Sequence, residues 1–207
     1  MPGGPSRPHG VPAARSADAF YDQRGNTGKY KECHDTADCI FYMTNSAGTE
    51  SRIYQGGVFR SEDLAFLAQK EISLVVNCTG HIDSPAWYGQ PGTPRWIRFT
   101  VSGSIPRPNP EDPLKSWPVL ANFWRLYQVI REALQTGSVY IHCRAGAHRA
   151  GTVTSAFAMM CTGCTAAEAV HTVRMRRRVT QVDGDNMFLL KMLETQLADW
   201  TRTGSVA

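Results

Sequence analysis

From Leu120 onward the apolar positions fall into clear periods. Leu120, Phe123, Tyr127, Ile130 and Leu134 step by three, four, three and four, which is one face of a helix, and Gly137 is placed to end it. "SVYIHC" then runs apolar without alternation, as a strand buried on both faces does, and "SLVVNC" upstream has the same character. "RWIRFTV" is a further strand candidate. "TVTSAFAMM" predicts an apolar helix, and Thr165 with Glu168 forms a capping box for another through Val170 and Val173. Met187, Leu190, Leu193, Leu197 and Trp200 line a last helix. In the first half, "RIYQGGVFR" reads as two short strands or a strand pair around Gly56 and Gly57. Ser61 then caps a helix with Glu62 and Asp63 in its first turn and Leu64 and Leu67 facing inward. Tyr30 to Ser46 gives no firm element. "HIDSPAWYGQPGTP" reads as a loop, with Trp87 and Tyr88 either flanking a site mouth or covering the end of the sheet. Strands alternating with helices predict a single three-layer α/β domain, with a central, mostly parallel sheet and helices on both faces.

Residues 1–25, rich in Pro, Gly, Ser and Arg, read as a flexible tail before a domain at 26–202. A net charge of +4 suits an anionic substrate, but it lacks the dense basic face expected of a nucleic-acid binder. The 6 cysteines are irregularly spaced and do not read as a secreted disulfide framework. Gly151 to Ala167 is too short and too polar for a membrane span, and no secretory segment stands near Met1. These features place the expected compartment in the cytosol or nucleus.

The chemistry concentrates in "HCRAGAHR", His142 to Arg149, between a buried strand and a helix. Backbone N–H groups at a helix start are unpaired, and the helix dipole adds positive potential there. Glycine lets the chain close around an anion. Gly146 and Gly151 have the spacing of a nucleotide-binding loop, but Thr152 stands where that motif needs Lys, so the nucleotide reading fails. A thiol among such donors, beside Arg and His, is expected to ionise near neutral pH and to act as a nucleophile. Arg149 can present its planar fork to two phosphate oxygens. The residues therefore point to displacement at phosphorus through a cysteinyl-phosphate, with no metal and no cofactor.

"HCRAGAHR" is similar to the HCxxGxxR signature of cysteine-dependent protein tyrosine and dual-specificity phosphatases. "RIYQGGVFRSEDLAFLAQKEISLVVNCT" and "VIREALQTGSVYIHC" resemble the dual-specificity branch, and the likeness spans Arg52 to Trp200. It implies Cys143 as nucleophile and Arg149 as phosphate clamp. His142 would orient the loop and help keep the thiol ionised, and the backbone of Arg144, Ala145, Gly146, Ala147 and His148 would bind the phosphate oxygens. The family places an aspartic acid about thirty residues upstream as proton donor. Asp112, 31 residues before Cys143, fits better than its neighbour Glu111. The implied substrate is a phosphorylated protein, with phosphoinositide, or another non-protein phosphate ester, as the first alternative. A phosphate-binding module without turnover is the second.

One position departs from the family. Ser or Thr usually follows the clamp arginine, whereas this chain has Ala150, so slow breakdown of the intermediate is expected. Thr180 and Gln181 weakly resemble a loop that lies near the hydrolytic water in some relatives. Some relatives also carry a cysteine in the strand of Cys78 that pairs with the nucleophile on oxidation; a small core residue is the preferred reading here. Arg174, Arg176, Arg177 and Arg178 read as a solvated helix end.

Overall fold

Three of the apolar runs lie side by side at the centre of the molecule. The computed structural model describes residues 33, 35–45, 48–80, 82–101 and 117–203, with backbone alone at 117–120 and 199–203. In it the runs form β2 (Glu50–Gly56), β3 (Ile72–Asn77) and β5 (Ser138–His142). β5 is central and parallel to both neighbours, and β4 (Arg95–Arg98) continues the parallel sheet beyond β3. β1 (Ala37–Thr44) pairs antiparallel with β2, giving the order β1-β2-β5-β3-β4. The helices are α1 (Val58–Glu62), α2 (Leu64–Gln69), α3 (Trp117–Ala133), α4 (Arg149–Thr162), α5 (Ala166–Arg176) and α6 (Gly184–Thr203).

Side-chain alternation sorts the strands between two cores. Ile53, Leu74, Val76, Val139 and Ile141 enter the larger core, with residues of α3, α4, α5 and α6. Tyr54, Val75 and Tyr140 face the other way and pack with Leu67 and Trp87. The architecture is thus the three-layer α/β fold with a mostly parallel sheet. The site forms at the C-terminal end of β5, in the middle of the sheet.

Several local expectations change. Val58–Arg60 is helix, not strand, because the chain turns at Gly57 and the Val58 N–H is drawn to the Arg144 carbonyl, 3.0 Å away. Ser61 lies inside α1 and donates to the Val58 carbonyl at 2.6 Å; the residue that caps α2 is Asp63, which accepts from Phe66 N–H at 2.9 Å. Leu67 is buried as expected, whereas Leu64 is exposed. Part of the uncommitted stretch from Tyr30 to Ser46 is β1. Trp87 is buried, donating to the Ser61 carbonyl at 3.0 Å, and Tyr88 leans on Trp96, so the pair covers the sheet. Gly137 follows α3, but its need for glycine is steric. An added Cβ would lie 2.6 Å from the Glu71 carbonyl oxygen, which accepts from Ser138 N–H.

The capping box at α5 forms as written. Thr165 N–H donates to Glu168 Oε2 at 2.9 Å, which holds that carboxyl below its usual range. α4 ends at Gly163 in the left-handed region, φ 69°. In α6, Leu190 and Leu193 are buried and Met187 and Leu197 partly so, while the Trp200 side chain lies outside the described residues. The boundary expected at residue 25 also lies outside them.

Candidate active site

Cys143 follows β5 directly and is 3% exposed, in the same apolar cluster as Cys78 and Ala150. Beyond it the chain makes a tight loop before α4 begins at Arg149. Every carbonyl of that loop is held by a donor from outside it. Cys143 O faces Nδ1 of His142 at 3.3 Å, and Arg144 O accepts from Val58 N–H at 3.0 Å. Ala145 O accepts from Nη2 of Arg177 at 2.9 Å. Gly146 O accepts from Nε of Arg177 at 3.0 Å and Nε2 of Gln55 at 2.8 Å. Ala147 O accepts from Gln181 N–H at 2.9 Å, and His148 O from the N–H and hydroxyl of Thr152 at 2.9 and 3.0 Å.

The consequence follows from peptide planarity: carbonyls turned outward turn N–H groups inward. Among the described residues, the N–H groups of Arg144, Ala145, Gly146, Ala147 and Arg149 donate no hydrogen bond. Buried N–H groups are otherwise almost always paired. Unpaired N–H groups gathered at a helix start can take an anion, and here they directly follow the sulfur-bearing residue.

Glycine is needed at two crossing points. Gly146 has φ 67°, and a Cβ there would lie 2.3 Å from the Gly56 carbonyl carbon and oxygen. A Cβ on Gly56 would in turn lie 2.3 Å from the Tyr140 hydroxyl, which donates to the Gly57 carbonyl at 2.6 Å. The loop is therefore seated against the end of β2 by backbone-to-backbone contact.

His142 is 1% exposed, its ring stacked on Tyr140. Burial pushes it down to about 4, only partly opposed by its contact with the Cys143 carbonyl. The ring is therefore neutral at physiological pH, and Nδ1 must carry its proton to donate. His142 steadies the loop from behind through a hydrogen bond. A neutral ring can act on the neighbouring residue only through its hydrogen bond.

Arg149 opens α4, half-buried, and its side chain makes no ion pair or hydrogen bond among the described residues. Arg144 is exposed at the loop rim. His148 Nε2 meets Gln181 Oε1 at 3.2 Å. Thr180 is fully buried, with its hydroxyl accepting from Gln55 Nε2 at 3.0 Å. Thr180 and Gln181 thus brace the loop. Cys78 lies beside Cys143 across the sheet, its N–H donating to the His142 carbonyl at 2.7 Å; burial and the neighbouring Cys143 push its thiol well up. Asp112 and Glu111 lie outside the described residues.

Arg177 is the residue that the sequence reading missed. The run predicts a solvated helix end for all four arginines, yet Arg177 is 1% exposed, and of the four only Arg174, Arg176 and Arg178 are exposed. A signal was available. Val170, Val173 and position 177 follow the inward helical period, so Arg177 takes the next buried position.

The sequence profile of the dual specificity phosphatase catalytic domain matches residues 53–196, well over half of the chain. The chain belongs to this family. As a member it is a cysteine-based phosphatase. Its fold is shared by human DUSP28, at 19% identity and TM-score 0.56, covering 77% of this chain and 95% of that one. It is shared by a human tyrosine phosphatase-like serine/threonine/tyrosine-interacting protein, at 18% identity and TM-score 0.53, covering 71% and 92%. PTPMT1 solved with PI(5)P is similar at 16% identity and TM-score 0.54, covering 72% and 94%. No curated protein matches the chain. Among the described residues of this phosphatase, no helix is long and apolar enough to cross a membrane.

Proposed function

We propose that the protein is a dual-specificity protein phosphatase that hydrolyses phosphotyrosine, phosphoserine and phosphothreonine. The observation that supports this most is the loop from Cys143 to His148, with every carbonyl held from outside and, among the described residues, the N–H groups of Arg144, Ala145, Gly146 and Ala147 left for an oxyanion. The Cys143 thiolate attacks phosphorus, forming the S–P bond as the ester P–O bond breaks. Inward N–H groups and the Arg149 fork hold the three non-bridging oxygens, most tightly as charge spreads over them in the transition state. Asp112 gives its proton to the departing oxygen. Its carboxylate then takes a proton from the water that attacks phosphorus, and the thiolate leaves.

Turnover of a generic aryl phosphate by the full chain tests the reading, and its absence would leave a phosphate-binding module. Phosphopeptides assayed beside phosphoinositide vesicles test the substrate class. The exposed Arg144 favours the phosphoinositide alternative. Under the reading proposed here, peptides are turned over faster.

Asp112→Asn is expected to slow alkyl phosphates most and aryl phosphates with good leaving groups least, and to flatten the alkaline limb of the pH–rate profile. If Glu111→Gln gives this pattern instead, Glu111 is the donor.

Ala150 is fully buried in the cluster that holds Cys143, and Thr152, the nearest hydroxyl along α4, is committed to the His148 carbonyl at 3.0 Å. Neither supplies the hydroxyl that relatives direct at the departing sulfur. Breakdown of phospho-Cys143 should be slower by roughly tenfold or more, the worth of one transition-state hydrogen bond. Rapid mixing should show a burst of phenol near one equivalent before a slow steady state, and Ala150→Ser should raise the steady rate. A wild type without a burst, unimproved by Ala150→Ser, would place the slow step elsewhere.

A further inference from the structure

Arg177 connects two parts of the chain that are remote from it in sequence, the loop after β5 and the stretch that leads into β1. Its Nε and Nη2 donate to the Gly146 and Ala145 carbonyls at 3.0 and 2.9 Å, and its Nη1 pairs with Asp38 Oδ2 of β1 at 2.6 Å. Nη2 also reaches the Thr36 hydroxyl at 3.1 Å and the Cys33 carbonyl at 3.5 Å. An arginine side chain is almost never this buried unless its charge and its donors are answered. Here the partners are one carboxylate, one hydroxyl and carbonyls, two of which belong to consecutive peptides of the phosphate loop.

We propose that Arg177 is a positioning residue: it fixes the Ala145 and Gly146 carbonyls outward and so aims the N–H groups of Gly146 and Ala147 at the bound phosphate. Each peptide is planar, so the carbonyl of one residue and the N–H of the next point opposite ways. Holding Ala145 O sets Gly146 N–H, and holding Gly146 O sets Ala147 N–H. A planar fork with fixed donor directions does this for two peptides at once, and a flexible ammonium does not. Polarisation adds to the effect, since a cation on the carbonyl side strengthens the N–H on the other. Asp38 is half-exposed and completes the device by directing the remaining guanidinium edge. The loop geometry thereby becomes dependent on Asp38 of β1 and on Cys33 and Thr36, which lie outside the family match at residues 53–196.

The inference rests on the anion-site reading but not on turnover, so the test measures tungstate binding by calorimetry alongside aryl phosphate hydrolysis, on the full chain. Arg177→Lys should weaken tungstate about tenfold or more and lower kcat/KM similarly, as expected for losing charge-assisted bonds that act on the oxyanion. Asp38→Asn should give a smaller loss, and Arg177→Met a larger one than Lys. Arg176→Lys and Arg178→Lys, from the exposed part of the same run, should bind as wild type. Wild-type tungstate affinity in folded Arg177→Lys and Asp38→Asn, with only thermal stability lowered, would reduce Arg177 to a packing role and overturn the inference. No tungstate binding by the wild type would overturn it as well. Binding that falls in Arg177→Lys, with no hydrolysis by the wild type, would uphold it and reject the hydrolase reading alone.

Discussion

Replacing Cys143 by serine is expected to abolish hydrolysis of an aryl phosphate while leaving oxyanion binding in place. The two outcomes separate because the residues that bind and the atom that attacks are different. In the proposed mechanism binding rests on the inward N–H groups and Arg149, and the carbonyl bonds that orient the loop come from His142, Val58, Arg177, Gln55, Gln181 and Thr152. None of these involves the sulfur. Serine is smaller and fits the same buried place, so the loop should keep its shape. Its hydroxyl, however, is not ionised at neutral pH, and no neighbour among the described residues is placed to take its proton. His142, its neighbour in sequence, points its Nδ1 at the Cys143 carbonyl and keeps its other nitrogen buried. Steady-state assay of Cys143→Ser, with tungstate titration beside it, reads both outcomes. Residual turnover above a few per cent of wild type, an order-of-magnitude threshold, would mean a second nucleophile.

The features legible in the sequence are those that local chemistry decides. The strand of five consecutively buried residues before Cys143, the capping box of Thr165 and Glu168, and the left-handed stop at Gly163 each depend on a few adjacent positions. Misread features depend on contacts made far along the chain. Val58–Glu62 has β-type residues at its start, and it is helical because Gly57 and Val58 dock on Thr36 and Arg144. β1 is an edge strand, half-exposed and irregular between Cys39 and Phe41, so it carries no clean alternation. Arg177 sits among three arginines with the same local sequence character, and what distinguishes it is a carboxylate 139 positions away. The same limit applied to His142: its sequence places it beside the nucleophile, but only its burial shows that it is neutral.

Gly146→Ala is expected to be the most damaging conservative change in the loop, and Gly163→Ala is the control that isolates the reason. Both glycines have the same backbone sign, with φ 67° and 69°, so an alanine at either carries the left-handed cost of about 1 kcal/mol. They differ in what a methyl group meets. Around Gly163 nothing lies within 4 Å, whereas at Gly146 the new carbon would stand 2.3 Å from two backbone atoms of Gly56. Gly56 has little room to shift, because its own surroundings are crowded: a Cβ on it would stand 2.3 Å from the Tyr140 hydroxyl and 2.5 Å from the Thr36 carbonyl. The loop must move instead, and that breaks the bonds from Arg177 and Gln55 to the Gly146 carbonyl. Overpacking of this kind costs a further 1–3 kcal/mol, so the total loss of stability at Gly146 should be about 3 kcal/mol. The kinetic effect should be larger in proportion. A displacement of about 1 Å at oxyanion donors costs roughly a hundredfold in rate. Urea unfolding and aryl phosphate kcat/KM, measured for both variants, test the argument. Gly163→Ala should lose a little stability and no activity, and Gly146→Ala should lose both. Equal, small losses at the two positions would show that the contact between Gly146 and Gly56 does not hold the loop in place.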